Sequence, residues 1–423
     1  GHKYARGYTW TDWKDTAYAQ DVVPVRQQKE ITGHAVRAMY LYTGAADVAA
    51  LTGDEGYVQA METVWEDVVH RNMFLTGGIG SSGRNEGFST DYDLPNEQAY
   101  CETCASVGMV FWNQRMNLMT GNGKFIDVLE RSLYNGARDG LSLSGDRFFY
   151  GNPLASRGQH YRREWFGTAC CPSNIARLVA SLGDYIYGVS ADGLWVNLFV
   201  GSNTSVRIGK TAVPVFMETN YPWDGNVMLT VQPASKVRFA MRVRIPGWAR
   251  GEAVPGDLYR FEDKQVKPYS FTVNGKTVTY TIESGYAVIT REWKKGDVLE
   301  LKLPMDVRRV VSRPEVTQNE DRVAIQRGPL VYCVEAVDNG NQAWNILIPD
   351  DASFATVNRP DLLGGITTIE FQAPTVQIST DGQSVSTETR KITAIPYYTW
   401  NNRGQSAMQV WLPRKIKDIK LNY

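Results

Sequence analysis

The sequence predicts an α + β multidomain protein, in which a helical part precedes antiparallel β-sandwich domains. Before Ser190 the apolar residues recur at the spacing of a helix, and after it they alternate with polar residues at a period of two. Short strands at turn-rich spacing are typical of β-sandwiches. We therefore expect a helical domain over residues 1–190 and two β-sandwich domains over residues 191–310 and 311–423.

Five segments carry helical periodicity. The first runs from Arg26 to Thr43, with Gly44 predicted to end it, and the second follows Asp54. Pro172 is predicted to open the fifth, because proline is favoured in a first helical turn. The third and fourth helices are predicted over residues 104–119 and 125–137.

The second part of the chain contains runs that are predicted to be strands. Asn274-Gly275 joins two of them and is a strong hairpin signal. The predicted strands cover residues 194–200, 237–245, 271–273, 277–282, 298–303, 322–326, 330–334 and 408–412.

Composition excludes several classes of function. Lys plus Arg and Asp plus Glu are equal at 45 each, so no net charge attracts the chain to nucleic acid or anionic lipid. No run of eighteen apolar residues occurs, so we expect no membrane span. Twelve Trp and 22 Tyr suit stacking against sugars, although a large β-rich protein buries many aromatic residues in any case. Periplasm and cytoplasm both remain open as compartments.

The cysteines give the first sign of chemistry. They are too few for a disulfide scaffold, and a cysteine alone is most often a small buried apolar residue. Thiolates together with the Glu102 carboxylate are good zinc ligands. We therefore weigh a metal site equally with a structural role for the cysteines as buried apolar residues. A vicinal Cys170–Cys171 disulfide and a redox pair in the four-residue motif Cys101–Cys104 are further options. The cysteines form two groups and one isolated residue: Cys101 with Cys104, Cys170 with Cys171, and Cys333.

Local geometry limits how such a metal site could form. In a regular helix the side chains of Glu102 and Cys104 point about 200° apart, so they converge only where the chain is extended or entering a helix. The adjacent Cys170 and Cys171 also converge only on irregular backbone. If Pro172 opens a helix, both thiols lie at its N-terminus, where the helix dipole favours thiolates.

A glycine-rich loop over residues 77–88 holds one carboxylate, Glu86. The loop lacks the Gly-Lys-Ser/Thr of a phosphate-binding loop, and loops of this kind commonly line clefts. Glu86 is therefore a candidate general acid, although a solvated loop position is the commoner role for such a residue. Asp91 and Asp93 are weaker candidates of the same type.

Histidines and N-terminal tryptophans carry weaker signals. His34 is predicted to lie inside the first helix, where a histidine is more often a packing residue than a catalytic one. His2, His70 and His160 follow no pattern. Trp10 and Trp13 could stack on a sugar or cap the core.

Several motifs together resemble glycoside hydrolase family 127. The most specific feature is Glu-x-Cys followed later by Cys-Cys-Pro, and the resemblance runs almost from end to end. The matching segments are Pro24–Gln28, Gly33–Ala38, Glu102–Ser106, Cys170–Asn174, Arg327–Tyr332 and Ile395–Tyr398.

This resemblance implies an (α/α)6 toroid followed by β-sandwich domains, and a retaining glycosidase mechanism. Cys170 would be the nucleophile, Glu86 the general acid/base, and His34 a substrate contact. Cys101 and Cys333 fall outside the ligand set and are interpreted as structural. The resemblance assigns the ligands of one zinc ion to Glu102, Cys104, Cys170 and Cys171.

Six helical pairs need about twice the helices predicted here. We therefore expect that this chain holds only the C-terminal part of the toroid, and that another segment or a second chain supplies the rest. Alone, this part of the toroid would expose a large apolar face, which the other segment or chain would have to bury.

The resemblance implies an oligosaccharide substrate from which a terminal β-L-arabinofuranose is released, as in plant-type glycans. Aceric acid, a branched acidic sugar of pectin, is an alternative substrate, and Arg84 or Arg163 could bind its carboxylate. A carbohydrate-binding protein with a non-catalytic zinc is an alternative from another class. A sugar isomerase or epimerase is disfavoured, because such enzymes use histidine pairs and the four histidines here are scattered.

Overall fold

The computed structural model describes residues 15–378 and 384–419, and its first part is helical. Two of the α-helices, α2 and α4, continue directly into π-helical turns over Val68–Asn72 and Ser132–Ala137. The described helices are α1 (Ala35–Thr52), α2 (Glu55–Asp67), α3 (Thr103–Thr120), α4 (Gly123–Arg131) and α5 (Cys170–Ala180). Short 3-10 turns cover Val25–Gln27, Leu182–Tyr185, Gly247–Arg250, Thr317–Asn319, Ala336–Asp338, Tyr397–Thr399 and Ile416–Asp418.

Helix α1 differs from its prediction at both ends. It begins at Ala35 because the extended His34 is its N-cap, with Nδ1 accepting a hydrogen bond from the Val36 N–H at 3.1 Å. The prediction that His34 lies inside the helix is therefore wrong. Gly44 does not end the helix, which continues to the left-handed Gly53 (φ 65°).

The other helix ends follow the sequence signals more closely. The Asp54 carboxylate accepts from the Tyr57 N–H at 3.1 Å and caps α2, and Gly121 ends α3 in a left-handed conformation. Helix α5 begins at Cys170 rather than at the predicted Pro172. Proline fits inside this first turn because the N–H groups there have no partner within the helix.

The second part of the chain is built from β-strands. In chain order they are β1 (Ala155–Arg157), β2 (Tyr187–Ser190), β3 (Gly193–Val196), β4 (Ser202–Ile208), β5 (Thr211–Thr219), β6 (Asn226–Val231), β7 (Val237–Arg244), β8 (Tyr259–Phe261), β9 (Ser270–Val273), β10 (Lys276–Thr277), β11 (Thr281–Glu283), β12 (Tyr286–Trp293), β13 (Asp297–Lys302), β14 (Val307–Ser312), β15 (Arg322–Arg327), β16 (Leu330–Glu335), β17 (Ala355–Arg359), β18 (Ile366–Ile378), β19 (Val385–Pro396), β20 (Ala407–Gln409) and β21 (Leu412–Pro413).

These strands form three sheets. The five-stranded sheet has the order β11-β12-β7-β3-β2, and the six-stranded sheet has the order β10-β9-β13-β6-β5-β4. A ten-stranded sheet follows the path β17-β18-β19-β16-β15-β14-β8, with β1, β20 and β21 paired beside that path. Among the described strands β3 and β7 pair in parallel, and the other pairs are antiparallel.

The hairpin predicted at Asn274-Gly275 is confirmed, since Lys276 pairs with Val273 across the turn. The single strand predicted over residues 277–282 is wrong. Its first residue, Thr277, belongs to β10 in the six-stranded sheet, whereas its last two residues belong to β11, which pairs with β12 in the five-stranded sheet. The chain therefore passes from one sheet to the other within this short segment.

The helical part and the ten-stranded sheet are tied together. Strand β1 follows the fourth helix in sequence but pairs with β20, so that Ala155 lies opposite Gln409. Nearby, Trp400 stacks on Phe149 with ring centroids 5.1 Å apart. This contact fixes the segment that precedes α5.

Buried charges join α4 to β7. The guanidinium of Arg244 is fully buried and lies 2.7 Å from Asp127 Oδ1 and 2.6 Å from Glu130 Oε1. Tyr221 also donates to Glu130 Oε1, at 2.7 Å. Because a buried ion pair is costly to break on one side only, this network fixes how the helices meet the sheets.

In the part of the chain that the structure describes, no helix combines the length and the apolar character needed to cross a bilayer.

Candidate active site and metal centre

Two segments distant in sequence meet in a cluster of three sulfurs and one carboxylate. The ligand atoms of Glu102, Cys104, Cys170 and Cys171 all lie within 4.8 Å of one another. Cys104 Sγ is 3.4 Å from Cys171 Sγ, and Glu102 Oε1 is 3.4 Å from Cys170 Sγ. These atoms are close enough to share one ion.

Helix ends produce this convergence. Glu102 is the N-cap of α3, with φ −57° and ψ 136°, and Cys104 is in the first turn. Cys170 and Cys171 are in the first turn of α5, and their sulfurs are 3.8 Å apart. Both thiols are free, so the vicinal disulfide considered from the sequence is not formed.

The chemistry of the cluster suits a metal ion. Cys104 and Cys171 are fully buried, and Glu102 is 2% exposed. Glu102 Oε2 is buried with no hydrogen-bond partner, which is unfavourable for a carboxylate unless a cation compensates it. Three sulfurs and one oxygen also make up a tetrahedral set of the kind that zinc accepts. The residues therefore fit a metal ion.

The three sulfurs are not equivalent. Cys170 is the partly exposed one, and Tyr150 Oη lies within hydrogen-bond distance of its sulfur, at 3.2 Å. Hydrogen bonds with Cys104, Cys171 and Tyr150 hold the pKa of Cys170 well below its usual range. The contact with Cys170 raises the pKa of Cys104, and the contacts with Cys104 and Cys170 raise the pKa of Cys171, which leaves Cys170 as the thiol with the lowest pKa of the three.

A polar chain supports the buried sulfur of Cys104. Asn174 Nδ2 donates to Cys104 Sγ at 3.0 Å, and Arg177 Nη2 donates to Asn174 Oδ1 at 2.9 Å. Arg177 Nη2 also donates to the Tyr40 hydroxyl, at 3.2 Å. These bonds orient the amide so that its NH2 group faces the sulfur.

Glu86 forms the centre of a second polar group. Tyr100 donates to its Oε1 at 3.0 Å, and His34 Nε2 lies 3.1 Å from its Oε2. Because His34 Nδ1 accepts the Val36 N–H, the neutral ring carries its proton on Nε2 and donates to Glu86. Burial lowers the pKa of His34, which favours this neutral form.

The backbone of the glycine-rich loop places Glu86 against the start of α1. Glu86 itself has φ 50°, a conformation that costs of order 1–3 kcal/mol for a non-glycine residue and is found at functional sites. Its carbonyl accepts from the Ala35 N–H at 3.1 Å. A Cβ on Gly87 would lie 1.8 Å from the Gly33 carbonyl oxygen, so only glycine permits this approach.

Aromatic rings connect the two groups. The rings of Tyr100, which binds Glu86, and Tyr150, which contacts Cys170, have centroids 6.2 Å apart. Glu86 and Cys170 are therefore connected through two neighbouring tyrosines. Tyr150 and Asn174 are site residues that sequence reasoning missed; Asn174 lies within a motif segment, but no signal marked Tyr150.

Several other candidates lie elsewhere. Asp91 pairs with Arg71 at 3.2 Å, and Asp93 accepts a hydrogen bond from Ser89. Arg84 is exposed on the loop surface. Their contacts are those of surface and packing residues.

The remaining cysteines and histidines are also placed outside the cluster. Cys101 and Cys333 are buried and free, and burial raises the pKa of both thiols. His70 lies edge-on to Trp65, 6.3 Å between centroids, and His160 contacts Ser156. His2, Trp10 and Trp13 lie outside the described residues.

Comparison with known proteins relates this chain to one protein family. Residues 4–184 match the beta-L-arabinofuranosidase GH127 catalytic domain, residues 193–305 match the GH127 middle domain, and residues 307–413 match the glycoside hydrolase family 127 C-terminal domain. A non-reducing end beta-L-arabinofuranosidase of Bifidobacterium longum subsp. longum is 38% identical over 94% of this chain and 62% of its own length.

Solved structures agree with that match. A GH127 beta-arabinofuranosidase superposes with a TM-score of 0.93 at 44% identity, over 96% of this chain and 63% of its own. A GH127 beta-L-arabinofuranosidase from Geobacillus stearothermophilus T6 gives a TM-score of 0.88 at 43% identity, over 97% and 65%. A further glycoside hydrolase gives 0.85 at 34% identity, over 94% and 69%.

The chain therefore belongs to glycoside hydrolase family 127. It spans just under two thirds of the length of the Bifidobacterium relative and of the first two solved structures.

Proposed function

We propose that this protein is a retaining exo-acting glycoside hydrolase that releases a terminal β-L-arabinofuranose, with Cys170 as nucleophile and Glu86 as general acid/base. One observation supports the proposal: the partly exposed Cys170 sulfur and the Glu86 carboxylate are contacted by two neighbouring tyrosines, Tyr150 and Tyr100. The arabinofuranosidase names of the relatives support the choice of sugar.

In the first step the Cys170 thiolate attacks the anomeric carbon and forms a C–S bond. The bond from that carbon to the leaving oxygen breaks, and Glu86 gives its proton to that oxygen. In the second step Glu86 removes a proton from water, the water oxygen bonds to the anomeric carbon, and the C–S bond breaks. Two inversions at one carbon retain its configuration.

Hydrogen bonds prepare both residues for these roles. The Tyr150 hydroxyl can donate to the Cys170 thiolate and hold the sulfur in position. Tyr100 and His34 each bind one oxygen of Glu86, which fixes the plane of its carboxyl group. We also assign to His34 a contact with a hydroxyl of the sugar.

We propose that Glu102, Cys104, Cys170 and Cys171 hold one zinc ion. When bound, zinc keeps thiols ionised at neutral pH and provides a Lewis acid beside them. The burial of Cys104 and Cys171 leaves these two sulfurs as structural ligands, whereas Cys170 alone reaches toward the sugar.

The toroid, the β-sandwiches and the boundaries at residues 190 and 310 remain predictions of the sequence. The ten-stranded sheet takes β1 from the helical part and β8 from the middle region, which makes the proposed domains interlocked rather than separate. Release from plant-type glycans is likewise part of the proposal.

The proposal is tested with 4-nitrophenyl β-L-arabinofuranoside. We expect hydrolysis in which the first anomer seen by NMR retains the β configuration, and its loss in Cys170→Ser. The matched control is Cys333→Ser, which changes a buried cysteine in β16 and should keep the activity. Inversion of configuration, or full activity in Cys170→Ser, would contradict the proposal.

A further inference from the structure

A cavity of about 500 Å³ lies directly beside the proposed catalytic pair, and nothing in the mechanism above uses it. Its wall includes Tyr100 and Tyr150, whose hydroxyls contact Glu86 and Cys170. Phe166 adds a third ring, edge-on to Tyr150 with centroids 5.3 Å apart. This volume falls within the range of small-molecule sites.

The position of the cavity suits the leaving group of the reaction. In a retaining glycosidase the acid stands next to the leaving oxygen, and Tyr100 is the wall residue that binds the acid. Aromatic rings on this wall can stack against the C–H faces of the next sugar. The cavity is therefore open to a sugar that is attached through the leaving oxygen beside Glu86.

The charges around the cavity are unbalanced. Glu97 lines it, but this carboxylate pairs with Arg157 at 3.4 Å and accepts from Gln159 Nε2 at 3.4 Å. Burial lowers the pKa of His160, so this imidazole is neutral at pH 7.

Arg163 is the cation that no carboxylate balances. It lines the cavity, is exposed, and lies over the Tyr161 ring at 5.1 Å. Within residues 15–378 and 384–419 it forms no ion pair. Its acidic neighbour Glu164 pairs instead with Arg147, at 2.8 Å. A guanidinium presented in this way suits a carboxylate, which it can bind through two hydrogen bonds.

We propose that this cavity binds the leaving-group sugar and that Arg163 selects one that carries a carboxylate, namely a uronic acid. This inference rests on the proposed function for the position of the scissile bond. It differs from the aceric acid alternative, because the carboxylate belongs to the sugar that leaves and not to the sugar that Cys170 attacks.

The test compares two substrates with one glycosidic bond: β-L-arabinofuranosyl-galacturonic acid and its methyl ester. We expect kcat/KM to be about ten-fold higher for the acid, mainly through KM, since a charge-assisted hydrogen bond is lost in the ester. In Arg163→Gln the ratio should fall to about one. Arg207→Gln is the matched control and should keep the ratio, because that arginine is exposed on β4 and does not line the cavity.

Two readouts separate this inference from the proposed function. Hydrolysis of 4-nitrophenyl β-L-arabinofuranoside by the unaltered protein tests the function alone, because this leaving group carries no carboxylate. Binding of free galacturonic acid, measured by calorimetry, tests the cavity alone and should weaken about ten-fold in Arg163→Gln. Equal binding by both proteins, or an acid-to-ester ratio near one in the unaltered protein, would overturn the inference whatever the aryl glycoside shows.

Discussion

At the scale of residues, the proposed metal centre depends on a buried carboxylate oxygen, Glu102 Oε2, that has no hydrogen-bond partner among the described residues. Cys171 and Glu102 are 69 residues apart in sequence, yet Cys171 Sγ and Glu102 Oε1 lie 3.6 Å apart. Burial of the ionised Glu102 carboxylate is costly unless a cation neutralises its charge. The sequence indicated these four ligands through two short motifs, whereas Tyr150 reaches Cys170 from a segment with no motif.

Metal binding should release protons in a pH-dependent way. Burial raises the pKa of Glu102 to about 8, so without metal this carboxyl is protonated at pH 7 and ionised well above pH 8. Zinc must displace that proton at pH 7 but not at pH 9. Calorimetric titration in buffers of different ionisation enthalpy should count about one proton fewer at pH 9. An unchanged count would contradict the assignment of Glu102 as a ligand.

Asn174 should support the metal through Cys104. Asn174→Ala removes the hydrogen bond to the sulfur, and loss of such a support typically costs about 10–100-fold in metal affinity. Competition with a zinc chelator measures this affinity. Ser181→Ala, at the other end of α5, is the control and should leave the affinity unchanged. Equal affinities for both variants would show that Asn174 does not act on the metal.

At the scale of elements, helix ends create the site. The N-cap and first turn of α3 and the first turn of α5 carry the four proposed ligands, and His34 is the N-cap of α1. Sequence signals located the start of α2 and the end of α3 because caps and left-handed glycines act locally. They failed for α1, since nothing local in the sequence shows that the Gly33 carbonyl bonds the Phe88 N–H, at 2.9 Å, in the distant loop.

A pair of glycine variants should separate this contact from helix stability. Gly87→Ala places a Cβ against the Gly33 carbonyl and displaces Glu86, so we expect a loss of about 100-fold in kcat/KM with metal content unchanged. Gly44→Ala meets open space inside α1 and should raise the free energy of unfolding by about 1 kcal/mol. Kinetics and chemical denaturation measure the two effects; normal kinetics in Gly87→Ala would refute the role of this contact.

The strands illustrate the same limit. Alternating residues predicted β7 and β13 almost to their ends, and Asn274-Gly275 predicted its hairpin. The change of sheet between β10 and β11 was not predictable, because both strands share one alternating pattern. Strand β1 was missed because it is three residues long and its partner β20 is distant in sequence.

At the scale of the whole molecule, the ten-stranded sheet supports the site from behind. Trp400 is fully buried, stacks on Phe149 next to Tyr150, and donates to Asp139 Oδ2 at 3.3 Å. Arg162 Nη2 binds the same carboxylate through Oδ1, at 2.9 Å. The residues that precede the proposed nucleophile are therefore positioned by a sheet formed mostly more than a hundred residues later.

Trp400→Ala should therefore affect both stability and activity. We expect a loss of about 3–5 kcal/mol in the free energy of unfolding and a lower kcat, because Phe149 and Tyr150 lose their support. Trp165→Ala is the control; this side chain is 63% exposed and should change stability by no more than about 0.5 kcal/mol. Denaturant unfolding followed by CD compares them, and equal stabilities would contradict the supporting role of the sheet.

The central claim is that Cys170 and Glu86 act on one sugar from opposite sides. Mass spectrometry of Glu86→Gln incubated with 4-nitrophenyl β-L-arabinofuranoside tests it most directly. A good leaving group needs little acid, whereas the second step still needs the missing base, so a pentosyl adduct should accumulate. Peptide mapping should place this adduct on Cys170. An adduct on a carboxylate or on Cys333 would contradict the account. So would rapid hydrolysis of the 4-nitrophenyl glycoside by this variant without any adduct.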